Sequence, residues 1–211
     1  MSAALRLVLA SASPARLQTL RAAGLEPEVI VSGVDEDGVR AHSVPDLVDT
    51  LARLKADAVH AEIGDAADVL IIGCDSLLEL DGIGHGKPRS AEEAVARWRR
   101  MSGRTGVLHT GHHVIWTRGE QTASRSEVAS TMVHFAQLSE PEIAAYVASG
   151  EPLQVAGAFT IDGRGGPFVS RIEGDHHNVV GISLPLLRLM LADLGVAWTS
   201  LWPAGPPRPA C

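Results

Sequence analysis

Apolar and polar positions follow two periods along this chain, and the changes between them predict an alternation of strands and helices. Short apolar or alternating runs indicate strands at 5–9, 28–31, 68–80, 109–117, 126–135 and 168–172. Capping residues in front of amphipathic stretches indicate helices after Ser13, Ser43, Ser90 and Ser139, and a last helix over 184–194. Asp81-Gly82 indicates a hairpin turn. The pattern predicts an α/β fold with a mixed sheet.

Composition narrows the class of protein. Of 211 residues, 45% are hydrophobic and 20% are charged, which is the balance of a soluble globular protein. The formal charge of −7 without a long basic run disfavours binding to nucleic-acid polymers. A protein with this charge can still bind an anionic small molecule if positively charged side chains are gathered at the binding site. The proline-rich tail at 203–211 is expected to be disordered.

The sequence also bears on location. No apolar segment approaches the length that crosses a membrane, and the apolar run before Ala10-Ser11-Ala12 is short and interrupted by Arg6, unlike a signal peptide. One cysteine, Cys74, lies in an apolar strand and the other, Cys211, ends the tail, so a disulfide is disfavoured. We expect a cytoplasmic protein with no membrane partner.

The junction between the first strand and the first helix has the features of an anion site. Ser13 is a good N-cap, Pro14 suits the first helical position, and Ser11 and Arg16 lie nearby. Unpaired amides and the positive end of the helix dipole point the same way there. The alternative interpretation is an ordinary capped helix.

Two carboxylates stand out at predicted strand ends. Asp75 interrupts an apolar strand, and an unpaired buried carboxylate is costly, so it is paired, metal-bound or catalytic, or else satisfied by a backbone amide at a bulge beside Gly73. Glu36 lies in an acidic turn just beyond another strand, where α/β sheets collect ligands. The turn is either a solvated loop or, with Asp75, a site for Mg²⁺ and substrate phosphates.

Three cations are candidates for phosphate contacts. Lys55 falls within or beside the apolar stripe of its helix, so it either extends to water or projects into a cleft. Lys87 lies in the glycine-rich stretch 84–88, which is either a surface loop or a phosphate contact but lacks the spacing of a P-loop. Arg104 follows a helix, as a partner of the helix dipole or as a phosphate clamp.

Adjacent histidines give little support for a zinc site. His112-His113 and His176-His177 are neighbours in sequence, and neighbours on a strand point to opposite faces. Neither pair is then expected to chelate one metal, and zinc is disfavoured.

A series of short sequence blocks runs in order over 5–194. They are Leu9 to Pro14 with Arg16, Val34 to Glu36, Lys55-Ala56, Ile72 to Ser76, Leu80 to Gly82, Gly86 to Pro88, Met101 to Thr105, Thr110-Gly111, Tyr146, Gly150 to Pro152, Ala156 to Phe159, Ile172 to Asp175 and Asn178 to Gly181. Together these blocks resemble the Maf family, also called septum-formation inhibitors.

The resemblance implies a single domain over 1–202, with a mixed central sheet flanked by helices and a deep cleft between two lobes, as in inosine triphosphate pyrophosphatases. It implies hydrolysis of nucleoside triphosphates, standard or modified, to the monophosphate and pyrophosphate with Mg²⁺, Mn²⁺ or Co²⁺. Asp75 matches the family's proton acceptor and, with Glu36, the metal site. The positions implied to bind phosphate and substrate are Ser11, Ser13, Arg16, Lys55, Lys87 and Arg104.

The resemblance leaves alternatives and differences. The older family name suggests a nucleotide-binding regulator of cell division that acts through a protein partner, and a homodimer stays open. A phosphatase or kinase of other ancestry is disfavoured by the missing P-loop. Members acting on thymidine and uridine triphosphates carry Arg, Thr and Gln where this chain has Ala15, Ser76 and Asp162. We therefore expect a changed or broader preference for the nucleobase.

Overall fold

A seven-stranded sheet organises the chain in a computed structural model, which describes residues 5–64 and 68–203. The strands are β1 (Arg6–Ala10), β2 (Glu28–Val29), β3 (Val69–Leu80), β4 (Ile83–His85), β5 (Thr105–Arg118), β6 (Gln121–Phe135) and β7 (Val169–Glu173). The helices are α1 (Pro14–Ala22), α2 (Val44–Ile63), α3 (Ala91–Met101), α4 (Glu140–Ala148), α5 (His176–Val180) and α6 (Leu184–Asp193). Short 3₁₀ turns fill the segment between α4 and β7.

The sheet has the order β2-β1-β3-β5-β6-β7, with β4 paired to β3. Strands β2, β1 and β3 are parallel, and β3, β5, β6 and β7 are antiparallel. The predicted mixed α/β class is therefore confirmed. Strands β5 and β6 are longer than predicted, β2 is shorter, and helix α5 was not predicted.

Local signals account for most element ends. The hydroxyls of Ser13, Ser43 and Ser90 each accept a backbone N–H in the first turn of α1, α2 and α3. At the start of α4 the Glu142 carboxylate accepts the Ser139 N–H at 2.7 Å, as in a capping box. The β3–β4 turn has positive φ at both Asp81 (57°) and Gly82 (76°), as a two-residue hairpin requires.

Helix α2 lies unusually close to the sheet because two glycines face it. A Cβ on Gly73 would lie 2.3 Å from the Ala52 carbonyl oxygen, and one on Gly111 would lie 2.1 Å from that of Val48. Any larger residue at these positions would push the helix away. The contact brings the middle of α2, which carries Lys55, against the part of β3 that carries Asp75.

The core is divided into three apolar clusters. One lies under α1 and α6 and includes Leu20 and Leu191, and a second lies under α2 on the opposite face of the sheet. The third surrounds Trp98 and packs α3 and α4 against the far end of β3. The first two clusters and the third thus form two lobes along one sheet. No helix in the described part of the chain is long and apolar enough to cross a membrane. Residues 204–211 of the predicted disordered tail lie outside the described residues.

Candidate active site

The centre of β3 has one edge without a strand partner. Strand β1 pairs with β3 only as far as Gly73, and β4 pairs with it only from Leu78 onward. Strand β5 covers the opposite edge along almost the whole length. Within the described residues, 74–77 therefore have no strand partner on the β1–β4 side. This gap between the two lobes contains Asp75 and Ser76.

Asp75 lies in this gap in contact with a lysine that a second carboxylate also binds. Lys55 Nζ is 2.6 Å from Asp75 Oδ1 and 2.7 Å from Glu36 Oε1. Both Lys55 and Asp75 are buried, whereas about half of the Glu36 side chain is exposed. The interpretation in which Lys55 extends to water is therefore wrong, because its ammonium group is buried between two carboxylates.

The environment of Asp75 favours proton binding. Burial raises the pKa of its carboxyl above the ordinary value, and the positive charges of Lys55 and Arg16 oppose this effect without cancelling it. A carboxylate whose pKa is raised towards the working pH accepts a proton more readily than an exposed one. The surroundings of Asp75 therefore suit a general base.

Arg16 joins three segments that are far apart in sequence. Its Nε donates to the Gly181 carbonyl oxygen at 2.8 Å, and its Nη1 donates to Ser11 Oγ and to the Cys74 carbonyl oxygen, both at 2.9 Å. Its Nη2 donates to Ser76 Oγ at 2.9 Å. A guanidinium has five N–H groups, so these contacts leave one Nη2 N–H for a ligand. Arg16 thus completes the open edge of β3 where β1 ends.

The hydroxyl groups at the start of α1 keep a donor available. Ser11 Oγ accepts from Arg16 Nη1 and from the Ser13 N–H at 3.2 Å, and Ser13 Oγ accepts from the Arg16 N–H at 3.4 Å. Because both oxygens already act as acceptors, their protons are suited to donate to an anion. The anion site that the sequence predicts at this junction is consistent with this arrangement.

Two further polar side chains, Thr110 and Asn178, support the gap and were assigned no role from the sequence. Thr110 Oγ1 is 2.9 Å from Ser76 Oγ and donates to the Asn178 carbonyl oxygen. Asn178 is fully buried, and its amide donates to the Leu108 carbonyl oxygen and to Thr131 Oγ1. Thr110, Asn178 and Gly181 stand in blocks that carry the family resemblance, which was the signal that could have indicated them.

Residues 6–194 match the family model described as Maf-like protein. The chain belongs to the Maf family. It is 59% identical over 205 residues to a protein from Salinispora tropica named nucleoside triphosphate pyrophosphatase, covering 95% of this chain and 89% of that one. It is 58% identical over 197 residues to a protein of the same name from Streptomyces coelicolor, covering 93% and 94%. The Ham1 protein of Staphylococcus aureus is 15% identical with a TM-score of 0.45, covering 90% of this chain and 99% of that chain.

Two of the cations that the Maf resemblance indicates lie outside the cluster around Asp75. Lys87 is exposed beyond β4, on the far side of the gap, and within the described residues its side chain makes no hydrogen bond or ion pair. Arg104 forms an exposed ion pair with Asp81 and donates to the Arg100 carbonyl oxygen at the end of α3. Asp81 is six residues beyond Asp75, or about 20 Å along a strand. The structure thus places Arg104 at the helix end, as in the alternative interpretation, and does not bring it to the gap.

A cavity of about 370 Å³ beside α1 contains Asp162, one of the three positions that the Maf resemblance associates with nucleobase preference. Asp162 lines it together with Thr19, His176 and His177 and several apolar side chains. Ala15 lies one helical turn before Thr19, whose hydroxyl donates to the Ala15 carbonyl oxygen. Of the three positions, Asp162 lines this cavity, Ala15 lies on the preceding turn of α1, and Ser76 contacts Arg16 in the gap.

The histidine pair in this cavity lies on a helix, so the expectation that it occupies a strand was wrong. The rings of His176 and His177 are 3.7 Å apart, and with Asp175 they offer three ligand atoms within 4.8 Å of one another, so the expectation that this pair is unable to chelate one metal was also wrong. Helix α5 has five residues and is too short to show a helical period in sequence. The prediction of opposite faces fits the other pair: His112 accepts the Ser183 N–H, whereas His113 contacts Ser126.

Proposed function

We propose that this chain hydrolyses nucleoside triphosphates between the α- and β-phosphates, releasing a nucleoside monophosphate and pyrophosphate. The names of its relatives support this activity. The observation on which it depends is the buried Asp75 carboxylate at the open edge of β3, between the charges of Lys55 and Arg16. Such a group has a clear use in hydrolysis, whereas a protein that only binds nucleotides to regulate cell division has little need of it.

In the proposed reaction Asp75 orients a water molecule and takes its proton as the oxygen attacks the α-phosphorus. The bond from that phosphorus to the bridging oxygen breaks, and pyrophosphate leaves with the negative charge. Phosphoryl transfer depends mainly on positioning and on stabilising this charge. Lys55 and Lys87 would neutralise the departing phosphates, with the charge of Arg16 nearby. The hydroxyls of Ser11 and Ser13 would donate to phosphate oxygens.

A divalent cation fits the residues present. Asp75 and Glu36 both bind one ammonium group, so their oxygens converge on a position that already accommodates positive charge. Two carboxylates completed by substrate phosphates and water are a favoured set for Mg²⁺, and Mn²⁺ or Co²⁺ accept the same ligands. When bound, the ion would polarise the phosphates and lower their negative charge. Lys55 would then turn from the carboxylates towards the substrate.

We infer that nucleobase preference differs from that of relatives acting on thymidine and uridine triphosphates. Ala15 lacks a side chain that could stack on the base or bond to it. Asp162, on the wall of the cavity, accepts hydrogen bonds only, where glutamine both donates and accepts. A base that presents hydrogen-bond donors therefore suits this cavity. We propose that the enzyme works in the cytoplasm as a single domain over 1–202.

The test is a pyrophosphate-release screen of the purified protein against standard and modified nucleoside triphosphates, each with Mg²⁺, Mn²⁺ and Co²⁺. We expect equal amounts of monophosphate and pyrophosphate from at least one nucleotide, and no product after chelation of the metal. Release of inorganic phosphate instead would show that cleavage occurs elsewhere in the chain of phosphates. Absence of any turnover with all nucleotides would refute the proposal and favour the regulator.

A further inference from the structure

The loop that carries Lys87 is held at both ends by one ion pair of helix α3. Arg97 Nη1 donates to the Gly86 carbonyl oxygen at 2.5 Å, immediately before the lysine. Glu93 Oε2 accepts the Arg89 N–H at 2.9 Å, two residues after it. Glu93 and Arg97 also bind each other, with Oε1 and Nη2 2.6 Å apart. The two side chains are thus a clamp around Lys87.

Glu93 departs here from the role that its sequence position predicts. Ser90 to Glu93 reads as a capping box, in which Glu93 would accept the N–H of Ser90. Ser90 Oγ does accept the Glu93 N–H at 3.2 Å, but the Glu93 carboxylate contacts Arg89, one residue before the cap. The carboxylate therefore fixes the loop in front of the helix, and only the backbone N–H of Glu93 takes part in the helix cap.

Arg97 occupies a costly position for a charged side chain. It is 5% exposed, and burial lowers the pKa of its guanidinium. An apolar residue of similar volume would avoid this cost of desolvation. The carbonyl oxygen of Gly86 accepts a second bond from the Gly157 N–H at 3.1 Å, and Pro88 is buried. The backbone around Lys87 is therefore fixed on all sides, while the lysine side chain itself is exposed.

We propose that Arg97 and Glu93 are positioning residues of the pyrophosphatase reaction, holding the backbone on both sides of Lys87 so that its ammonium group meets the phosphates of the substrate. The inference depends on the proposed function, because Lys87 must contact substrate for its position to matter. Supporting side chains that are packed and hydrogen-bonded hold a functional group closer to its productive geometry than an unsupported loop does. A displacement of about 1 Å at such a site costs up to about a hundredfold in rate.

The experiment compares Arg97→Met, Lys87→Ala and the double variant by kcat/KM for the best nucleotide. We expect Arg97→Met to lower kcat/KM about tenfold and Lys87→Ala to lower it at least as much. In the double variant the loss should stay within about twofold of that of Lys87→Ala, because no lysine remains to be positioned. The matched control is Arg99→Met on the same helix, whose ion pair with Glu140 is exposed, and it should change kcat/KM less than twofold.

Glu93→Ala gives a second measurement if Arg97→Met does not fold. Its side chain is 42% exposed, so its loss opens no cavity in the core, and Arg97 keeps its hydrogen bond to the Gly86 carbonyl oxygen. We expect faster hydrogen exchange of the Arg89 amide and a fall of about threefold in kcat/KM that disappears when Lys87 is alanine. If Glu93→Ala lowered kcat/KM by the same factor with and without Lys87, the clamp would be refuted and the effect would be a general one on the fold. If Lys87→Ala left kcat/KM unchanged, the proposed role of Lys87 itself would be refuted. If Lys87→Ala lowered kcat/KM but Arg97→Met left it unchanged, only the clamp would be refuted.

Discussion

Replacing Asp75 with asparagine removes the proposed base while nearly preserving its shape. General-base catalysis contributes about a hundredfold to ten-thousandfold, which corresponds to about 3 to 5 kcal/mol of activation free energy. We expect Asp75→Asn to lower kcat by this factor. Nucleotide binding should stay largely intact, because Lys55, Lys87 and Arg16 keep their positive charges.

The same substitution should leave the fold largely unchanged. Breaking a buried ion pair usually costs about 3 to 5 kcal/mol, because one charge is left without a partner. Here Lys55 keeps Glu36 at 2.7 Å, and the new amide oxygen can accept from the Lys55 ammonium. Burial also raises the pKa of Asp75, so the ionised carboxylate is less favourable in the folded state than in the unfolded chain. We therefore expect the free energy of unfolding to change by at most about 2 kcal/mol.

The assay measures pyrophosphate release at saturating nucleotide with Mg²⁺, together with the Kd of an analogue that cannot be cleaved between the α- and β-phosphates. The control is Glu79→Gln on the same strand, where the side chain contacts His109. It should keep kcat within about twofold, as expected for a substitution away from the site. If folded Asp75→Asn retained more than about a tenth of the wild-type kcat, Asp75 would not be the base.

Three other predictions concern the packing of α2 on the sheet, the pH dependence of stability and the nucleobase preference. Gly111→Ala should lower the free energy of unfolding by about 3 kcal/mol in urea titrations, because its Cβ would lie 2.1 Å from the Val48 carbonyl oxygen; an unchanged midpoint would show that α2 moves without cost. Burial lowers the pKa of His112 from 6.5 to about 4 in the folded state, so as the pH falls a proton binds His112 in the unfolded chain before it binds in the folded one. The contribution of His112 to stability is therefore lost as the pH falls from 6.5 towards 4. Wild type should lose about 2 kcal/mol more than His112→Gln between pH 8 and pH 5, and parallel curves would contradict this. Combining Ala15→Arg with Asp162→Gln should shift a nucleotide panel towards thymidine and uridine triphosphates, and an unaltered preference would remove both positions from the specificity argument.

Local chemistry explains why much of this protein was predictable. The Ser-Pro start of α1, the capping serines of α2 and α3 and the Asp81-Gly82 turn all act within a few residues, so a single sequence contains the whole signal. That Asp75 is paired was predictable because an unpaired carboxylate in an apolar strand is costly. Lys55 was predictable as a candidate for the same reason, since it falls beside an apolar stripe.

Contacts between distant segments could not be predicted in this way. Arg16 binds the carbonyl oxygen of Gly181, which lies 165 residues further along the chain. Arg104 pairs with Asp81 because the β3–β4 hairpin folds back on α3, which no local pattern encodes. Helix α5 has five residues, fewer than two turns, and its histidines were therefore interpreted as strand neighbours.

The three cations around the gap differ in how firmly they are already bound, and this difference separates their functions. Arg16 has four of its five N–H groups in hydrogen bonds to three segments, so moving it would break the open edge of β3. Lys55 is bound to two carboxylates, one of them half exposed, so it can exchange a carboxylate for a phosphate without leaving the gap. Lys87 has an exposed side chain on a fixed backbone. A nucleotide entering the gap would therefore meet Lys87 first and displace Lys55 from Asp75 and Glu36 second. That displacement would free the oxygens of Asp75 and Glu36 for the divalent cation that arrives with the phosphates, because two carboxylates and substrate phosphates are the ligands that Mg²⁺ favours.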